Sequence, residues 1–169
     1  MRLFIAIQFD RQVLNALTHF QDELKKCAVI GNYTKADNLH LTMAFIGEYN
    51  DPDEVLTAMK TVTFKPFEIE LDGYGRFGEI FWAGISGEKK LTSLANQLRQ
   101  ALSDADIPYD KKSFRPHITL IRRTSFRGDN RIPVECISDC GMTVKRISLM
   151  KSERGKNGMI YTEVGYIEG

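Results

Sequence analysis

The sequence predicts one α+β or α/β domain whose sheet is at least partly antiparallel. Three observations lead there. Strand-like apolar runs are interleaved with three helical stretches. No Ser/Gly linker or low-complexity segment divides the 169 residues, a length that suits one domain or two tightly fused lobes. After residue 140, two strand-like segments follow one another too closely for the crossover that a parallel pair requires.

Arg2 to Gln8 opens the fold as a strand, with Phe4, Ile5 and Ile7 supplying β-propensity. Residues 11 to 26 read as an amphipathic helix. Val13, Leu14, Leu17, Phe20 and Leu24 recur on one face. His19 falls between core positions on that helix and takes a structural or surface role. Gly31-Asn32 marks a turn, and Asn38 to Ile46 a second strand closed by Gly47. Asp51-Pro52-Asp53-Glu54 is a helix start: Asp51 caps, Pro52 takes the first helical position and Glu54 completes a capping box. That helix runs to about Val62. Phe67 to Leu71 and Ile80 to Ile85 read as strands, separated by a Gly-rich turn with Gly73, Gly75 and Gly78. Residues 89 to 103 carry the stripe Leu91, Leu94, Ala95, Leu98, Ala101 and Leu102 of a third helix. His117 to Ile121 is a strand entered through Pro116. Residues 124 to 140 form an irregular basic connection. Thr143 to Met150 and Met159 to Ile167 close the chain as a hairpin around the loop Ser152 to Gly158.

Bulk properties exclude several classes. The chain is 43% apolar and 27% charged, ordinary for a globular protein and unlike a disordered one. Its longest apolar runs, such as Leu3 to Ile7, are too short to cross a bilayer. The N-terminus lacks the features of a signal peptide, so the expectation is a cytoplasmic protein without membrane attachment. Cys27, Cys136 and Cys140 are odd in number and wrongly spaced for a disulfide framework or a C-x-x-C pair. Charge is uneven beneath a net +1: residues 111–156 carry 12 Lys+Arg against 4 Asp+Glu, while residues 1–110 carry 11 against 16. A local basic segment fits a phosphate site, though charge alone does not separate that from a solvated face.

The chemistry lies in the histidines. The chain has three, and two share a context: Asn38-Leu39-His40-Leu41-Thr42 and Arg115-Pro116-His117-Ile118-Thr119. Each is H-aliphatic-T in an expected strand. With 11 Thr in the chain, two of three histidines finding Thr at +2 by chance is roughly a one-in-eighty event. Residues i and i+2 of a strand share a face, so each motif offers an imidazole beside a hydroxyl. Converging on one cleft, the four groups suit in-line displacement at phosphorus. One imidazole activates the attacking oxygen and the other protonates the leaving oxygen. The hydroxyls hold the non-bridging oxygens. A metal site is the competing reading, but two histidines without Cys, Asp or Glu at ligand spacing supply too few ligands, so no metal is expected.

The paired H-x-T strands resemble the two-histidine (2H) phosphoesterase superfamily, in particular its bacterial and archaeal RNA 2′,3′-cyclic phosphodiesterase (2′-5′ RNA ligase) branch. The resemblance extends to Met1 to Ile7, His40 to Glu48, Phe114 to Leu120, and the Leu149 to Tyr161 segment with Ser152, Gly158 and Tyr161. It implies a single bilobal α+β domain over residues 1–169, with pseudo-twofold, mainly antiparallel sheets flanked by helices and an active site between the lobes. The implied activity is hydrolysis of RNA 2′,3′-cyclic phosphate ends to 2′-phosphates without metal or cofactor, and in some members 2′-5′ ligation of tRNA halves. His40 and His117 become the catalytic pair, with His117 as base and His40 as acid, and Thr42 and Thr119 bind the phosphate. Family members carry an Arg five residues after the second His, here Arg122. The matching place after His40 is Phe45, a candidate for stacking on a base. Strict strand alternation puts +5 on the wrong face and favours Arg123, unless a bulge intervenes. The implied partners are RNA ends, tRNA fragments among them, or small nucleotide cyclic phosphates, met by a monomer. Two alternatives share these residues: a phosphodiesterase for 2′-5′ oligonucleotides or small cyclic nucleotides, and an RNA-end-binding module without turnover.

Overall fold

Two antiparallel sheets with three helices are formed by the described residues, 1–126 and 131–169, of the computed structural model. In chain order the elements are β1 (Arg2–Gln8), α1 (Arg11–Lys26), β2 (Val29–Tyr33), β3 (His40–Glu48), α2 (Pro52–Met59), β4 (Phe67–Phe77), β5 (Ile80–Ile85), α3 (Glu88–Asp104), β6 (Ile118–Phe126), β7 (Gly141–Val144), β8 (Arg146–Gly155) and β9 (Gly158–Glu168). Short 3-10 turns occupy Ala36–Asn38 and Val134–Ile137. Residues 127–130 of the expected basic connection lie outside the described residues.

The sheets run β3-β1-β8-β9 and β2-β6-β5-β4-β7. Leaving out β2, the two orders correspond strand for strand. In each, a strand leads through a long helix to an antiparallel neighbour that carries H-x-T: β1-α1-β3 in one lobe, β5-α3-β6 in the other. This is the pseudo-twofold bilobal α+β architecture. The lobes are also interlaced, because β2 leaves the first half of the chain to pair with β6 of the second sheet.

Local chemistry explains the helices. Asp10 caps α1 by accepting from Val13 N at 2.9 Å, and Lys25 and Lys26 sit where the helix dipole favours cations. Asp51 caps α2 through Asp53 N and Glu54 N, while the Glu54 carboxylate accepts from the Tyr49 hydroxyl. The expected stripe of α3 is wholly buried. It joins Val13, Leu17, Phe20 and Leu24 of α1 in one core continuous through both lobes. Strand β1 is buried on both faces: Leu3, Ile5 and Ile7 enter that core, while Phe4 and Ala6 join Met150 in a second, smaller cluster. Among the described residues no helix is long and apolar enough to cross a membrane.

Four local expectations are corrected. Gly31-Asn32 is not a turn but part of β2. A Cβ at Gly31 would lie 2.5 Å from Ile121 Cγ2 and 2.8 Å from the Arg122 carbonyl oxygen, so the glycine permits close strand approach. The Gly-rich stretch is likewise mostly strand. A Cβ at Gly75 would strike the Trp82 ring at 2.2 Å, and the turn is confined to Gly78 and Glu79. Finally, Thr143 to Met150 is two strands rather than one. β7 pairs with β4 in the second sheet, β8 pairs with β1 and β9 in the first, and Lys145 bridges them. Most of the supposed Ser152 to Gly158 loop is then hairpin ladder, with Gly155 opposite Gly158.

Candidate active site

The two H-x-T strands share an irregularity that their sequences do not announce. Along β3, Ala6 opposes Thr42 and Ile5 opposes Ala44, leaving Met43 as an extra residue. Along β6, Trp82 opposes Thr119 and Phe81 opposes Ile121, leaving Leu120 extra. Each is a β-bulge three residues after the histidine, and each inverts the strand's alternation beyond it. Burial follows suit. Leu41, Met43 and Ala44 are buried while Thr42 and Phe45 are half-exposed; Ile118, Leu120 and Ile121 are buried while Thr119 is half-exposed and Arg122 exposed. Position +5 is thereby returned to the histidine face. Arg122 lines the cleft, and Arg123, with φ +53, is not among its lining residues.

His40, Thr42, His117 and Thr119 all line one cleft of about 620 Å³ between the sheets. Both imidazoles are held alike. His40 Nδ1 is 2.7 Å from the Asn38 carbonyl oxygen, and His117 Nδ1 is 2.7 Å from that of Arg115. A carbonyl only accepts, so Nδ1 carries the proton in both rings and Nε2 is the nitrogen left for chemistry. His40 Nε2 lies 2.9 Å from the Thr42 hydroxyl, which donates to it in this tautomer. His117 Nε2 makes no hydrogen bond to a described residue. Each ring also has two aromatic neighbours. Phe4 and Tyr161 stand 4.9 and 5.3 Å from His40, and Phe77 and Trp82 stand 5.1 and 6.4 Å from His117, centroid to centroid. Packing and the Nδ1 bond together fix the ring planes.

Burial pushes the His40 pKa below the ordinary imidazole value. The Asn38 carbonyl opposes this by stabilising the cation, while the charges of Arg122 and His117 push further down. The net direction favours the neutral form of His40. An anion bound beside Arg122 would cancel part of that pressure.

Other groups complete the cleft. Lys35, Arg154, Asn157 and Met159 line it, and the tip of the β8-β9 hairpin is tied across to the segment before His40. Lys35 Nζ donates to the Asn157 carbonyl, and Asn38 Nδ2 donates to the Met159 carbonyl at 2.9 Å. Phe45 lies on the histidine side of its bulge but is not among the cleft-lining residues. Its ring packs on the Phe4, Ala6 and Met150 cluster with the Arg2 guanidinium 5.3 Å away. Sequence reasoning assigned no role to Tyr161, Asn38, Lys35 or Arg154. Tyr161 is 121 residues from His40, and only tertiary pairing joins them. Asn38 acts partly through its backbone carbonyl, which side-chain identity does not reveal, although the equal −2 spacing of Asn38 and Arg115 was open to view. Among the described residues no group of three or more His, Cys, Asp or Glu converges as a metal-binding set.

Comparison with known proteins bears on the family and the fold. The family model for the 2′-5′ RNA ligase superfamily matches residues 9–156, which include both motifs. The RNA 2′,3′-cyclic phosphodiesterase of Escherichia coli (strain K12) is 32% identical over 134 residues, covering 73% of each protein. The protein of that name from Archaeoglobus fulgidus is 30% identical over 129 residues, covering 72% of each. The crystal structure of E. coli LigT in apo form matches with a TM-score of 0.85 at 25% identity, covering 99% of this chain and 96% of that one. Its complex with 3′-AMP matches at 0.84 and 26% over the same shares. On the extent of the family match and the level of identity, this chain belongs to the 2′-5′ RNA ligase superfamily.

Proposed function

We propose that this protein hydrolyses 2′,3′-cyclic phosphate ends of RNA to 2′-phosphates by two-histidine acid–base catalysis. One observation carries the reading: two imidazoles in one cleft, each with Nδ1 engaged by a backbone carbonyl and Nε2 kept for proton transfer. Relatives named RNA 2′,3′-cyclic phosphodiesterase support the substrate class, and E. coli LigT holding 3′-AMP supports a nucleotide in the cleft.

The steps follow from the residues. Thr42, Thr119 and Arg122 bind the non-bridging oxygens of the cyclic phosphate. His117 Nε2, unoccupied by any described residue, takes a proton from water as its oxygen attacks phosphorus. The bond from phosphorus to O3′ breaks, and His40 Nε2–H delivers a proton to O3′. The phosphate on the substrate offsets the Arg122 and His117 charges that depress His40, so His40 binds its proton more readily with substrate beside it. Solvent exchange afterwards returns the proton from His117 to His40. A ribose hydroxyl in place of water would give the 2′-5′ linkage by the same path. Lys35 and Arg154 on the rim suit the phosphates of a longer strand.

Wild type and His40→Ala are assayed on nucleoside 2′,3′-cyclic phosphates and on short RNAs with cyclic ends. Turnover to a 2′-phosphate that is lost in the variant is the expected result. RNA binding without turnover in the wild type would make it an end-binding module instead, and preferential cleavage of 2′-5′ oligonucleotides would move the substrate class.

A further inference from the structure

Helix α1 buries one polar side chain among its apolar ones. Gln21 is 5% exposed and shares its face with Val13, Leu17, Phe20 and Leu24. Burying an amide costs free energy unless it is hydrogen-bonded. Its Nε2 donates to the Thr34 carbonyl at 2.9 Å and to the Leu120 carbonyl at 3.1 Å. The same Leu120 oxygen also accepts from Thr34 N at 2.9 Å. These acceptors are specific places in the site. Leu120 is the extra residue of the β6 bulge, the irregularity that turns Arg122 into the cleft. Thr34 begins the irregular segment that brings Lys35 into the cleft and Asn38 to the back of His40.

We propose that Gln21 is a positioning residue, whose amide locks the Leu120 bulge to the 34–38 segment and so sets Arg122 in register with His40. The proposal rests on the phosphoesterase reading of the cleft. An apolar residue of similar length would fill the same volume without the desolvation cost. What it would not do is hold two carbonyls from two sequence-distant segments at one point. Gln21 touches no cleft-lining side chain in the contacts described, so its effect passes through the backbone of Leu120 and Thr34.

The test is a double-mutant cycle of Gln21→Met with Arg122→Ala on adenosine 2′,3′-cyclic phosphate, with circular dichroism to establish folding. Displacing a phosphate ligand by about 1 Å costs up to about 100-fold. Gln21→Met alone should therefore lower kcat/KM by about 10- to 50-fold, bounded by the loss of Arg122 itself, chiefly through kcat. In the Arg122→Ala background the same change should cost less than about threefold, because the group it positions is gone. Equal factors in both backgrounds, or a loss that only tracks the folded fraction, would overturn the proposal. If Gln21→Met does not fold, Gln21→Asn takes its place in the cycle with the same expectation, since its shorter amide reaches at most one of the two carbonyls. Should wild type lack turnover, the phosphodiesterase reading fails by itself, and the cycle is read in affinity for 2′-AMP: coupling supports the positioning role and equal factors refute it.

Discussion

Arg122→Ala and Arg123→Ala exchange adjacent arginines for the same residue, yet the bulge at Leu120 gives them opposite expectations. Arg122 lines the cleft with both histidines, whereas Arg123 does not. A hydrogen bond to a charged group is worth about 1.5–3 kcal/mol, which converts to roughly 10- to 150-fold at 1.4 kcal/mol per decade. The Arg122 side chain is exposed, and solvent screening favours the lower half of that range. We expect Arg122→Ala to lower kcat/KM by about 10- to 50-fold and Arg123→Ala by less than about twofold. A second consequence separates loss of a phosphate ligand from general damage. Arg122 holds the His40 pKa down, so its removal should move the His40 limb of the pH profile to higher pH. The assay is steady-state hydrolysis of a nucleoside 2′,3′-cyclic phosphate across the pH range. A larger loss in Arg123→Ala than in Arg122→Ala would refute the bulge argument.

Three further expectations follow from the site. Because the folded-state pKa of His40 is lowered, the unfolded chain takes up its proton first on acidification. Stability is then fully retained above the unfolded value of about 6.5 and falls as pH drops from there toward the folded pKa; denaturant unfolding at pH 7.5 and 5.5 should show a smaller decline in His40→Gln than in wild type, and an equal decline would count against it. A nitrophenyl leaving group needs little protonation, so it should partly rescue His40→Ala but not His117→Ala, and rescue of His117→Ala instead would reverse acid and base. Activity should survive exhaustive chelation because two imidazoles supply both proton transfers; loss with EDTA restored by one divalent metal would contradict the mechanism.

How much of this was legible in sequence depended on the range of the forces involved. Helices were readable because their 3.6-residue stripes and caps are local: the α3 stripe from Leu91 to Leu102 is buried as expected, and Asp51 caps α2. The H-x-T pair was readable because strand alternation places His and Thr on one face over two residues, before any bulge intervenes. Beyond that point local reasoning failed in an instructive way. Alternation favoured Arg123, and the structure places Arg122 in the cleft because Leu120 is an extra residue set by pairing with β5. Family resemblance had Arg122, and the geometry supplies its physical reason. Gly31 and Gly75 look like turn formers by residue type but serve close contact with Ile121 and Trp82; Ile121 is remote in sequence, and Trp82 is set against Gly75 by the β4-β5 ladder, which residue type alone does not announce. The division at Lys145 was hidden for the same reason, since two strands in different sheets follow each other without a turn signal. The aromatic walls of the histidines come from β1, β4, β5 and β9, and only the folded sheets bring them together.

The most direct test of the central claim is the identity of the product. An RNA with a 2′,3′-cyclic phosphate end is incubated in ¹⁸O-labelled water with wild type, His40→Ala and His117→Ala, and the end is analysed by mass spectrometry and phosphorus NMR. The account predicts one ¹⁸O in a 2′-phosphate from wild type, and a loss of at least about 100-fold in each variant. A 3′-phosphate, or turnover that persists in either variant, would contradict it.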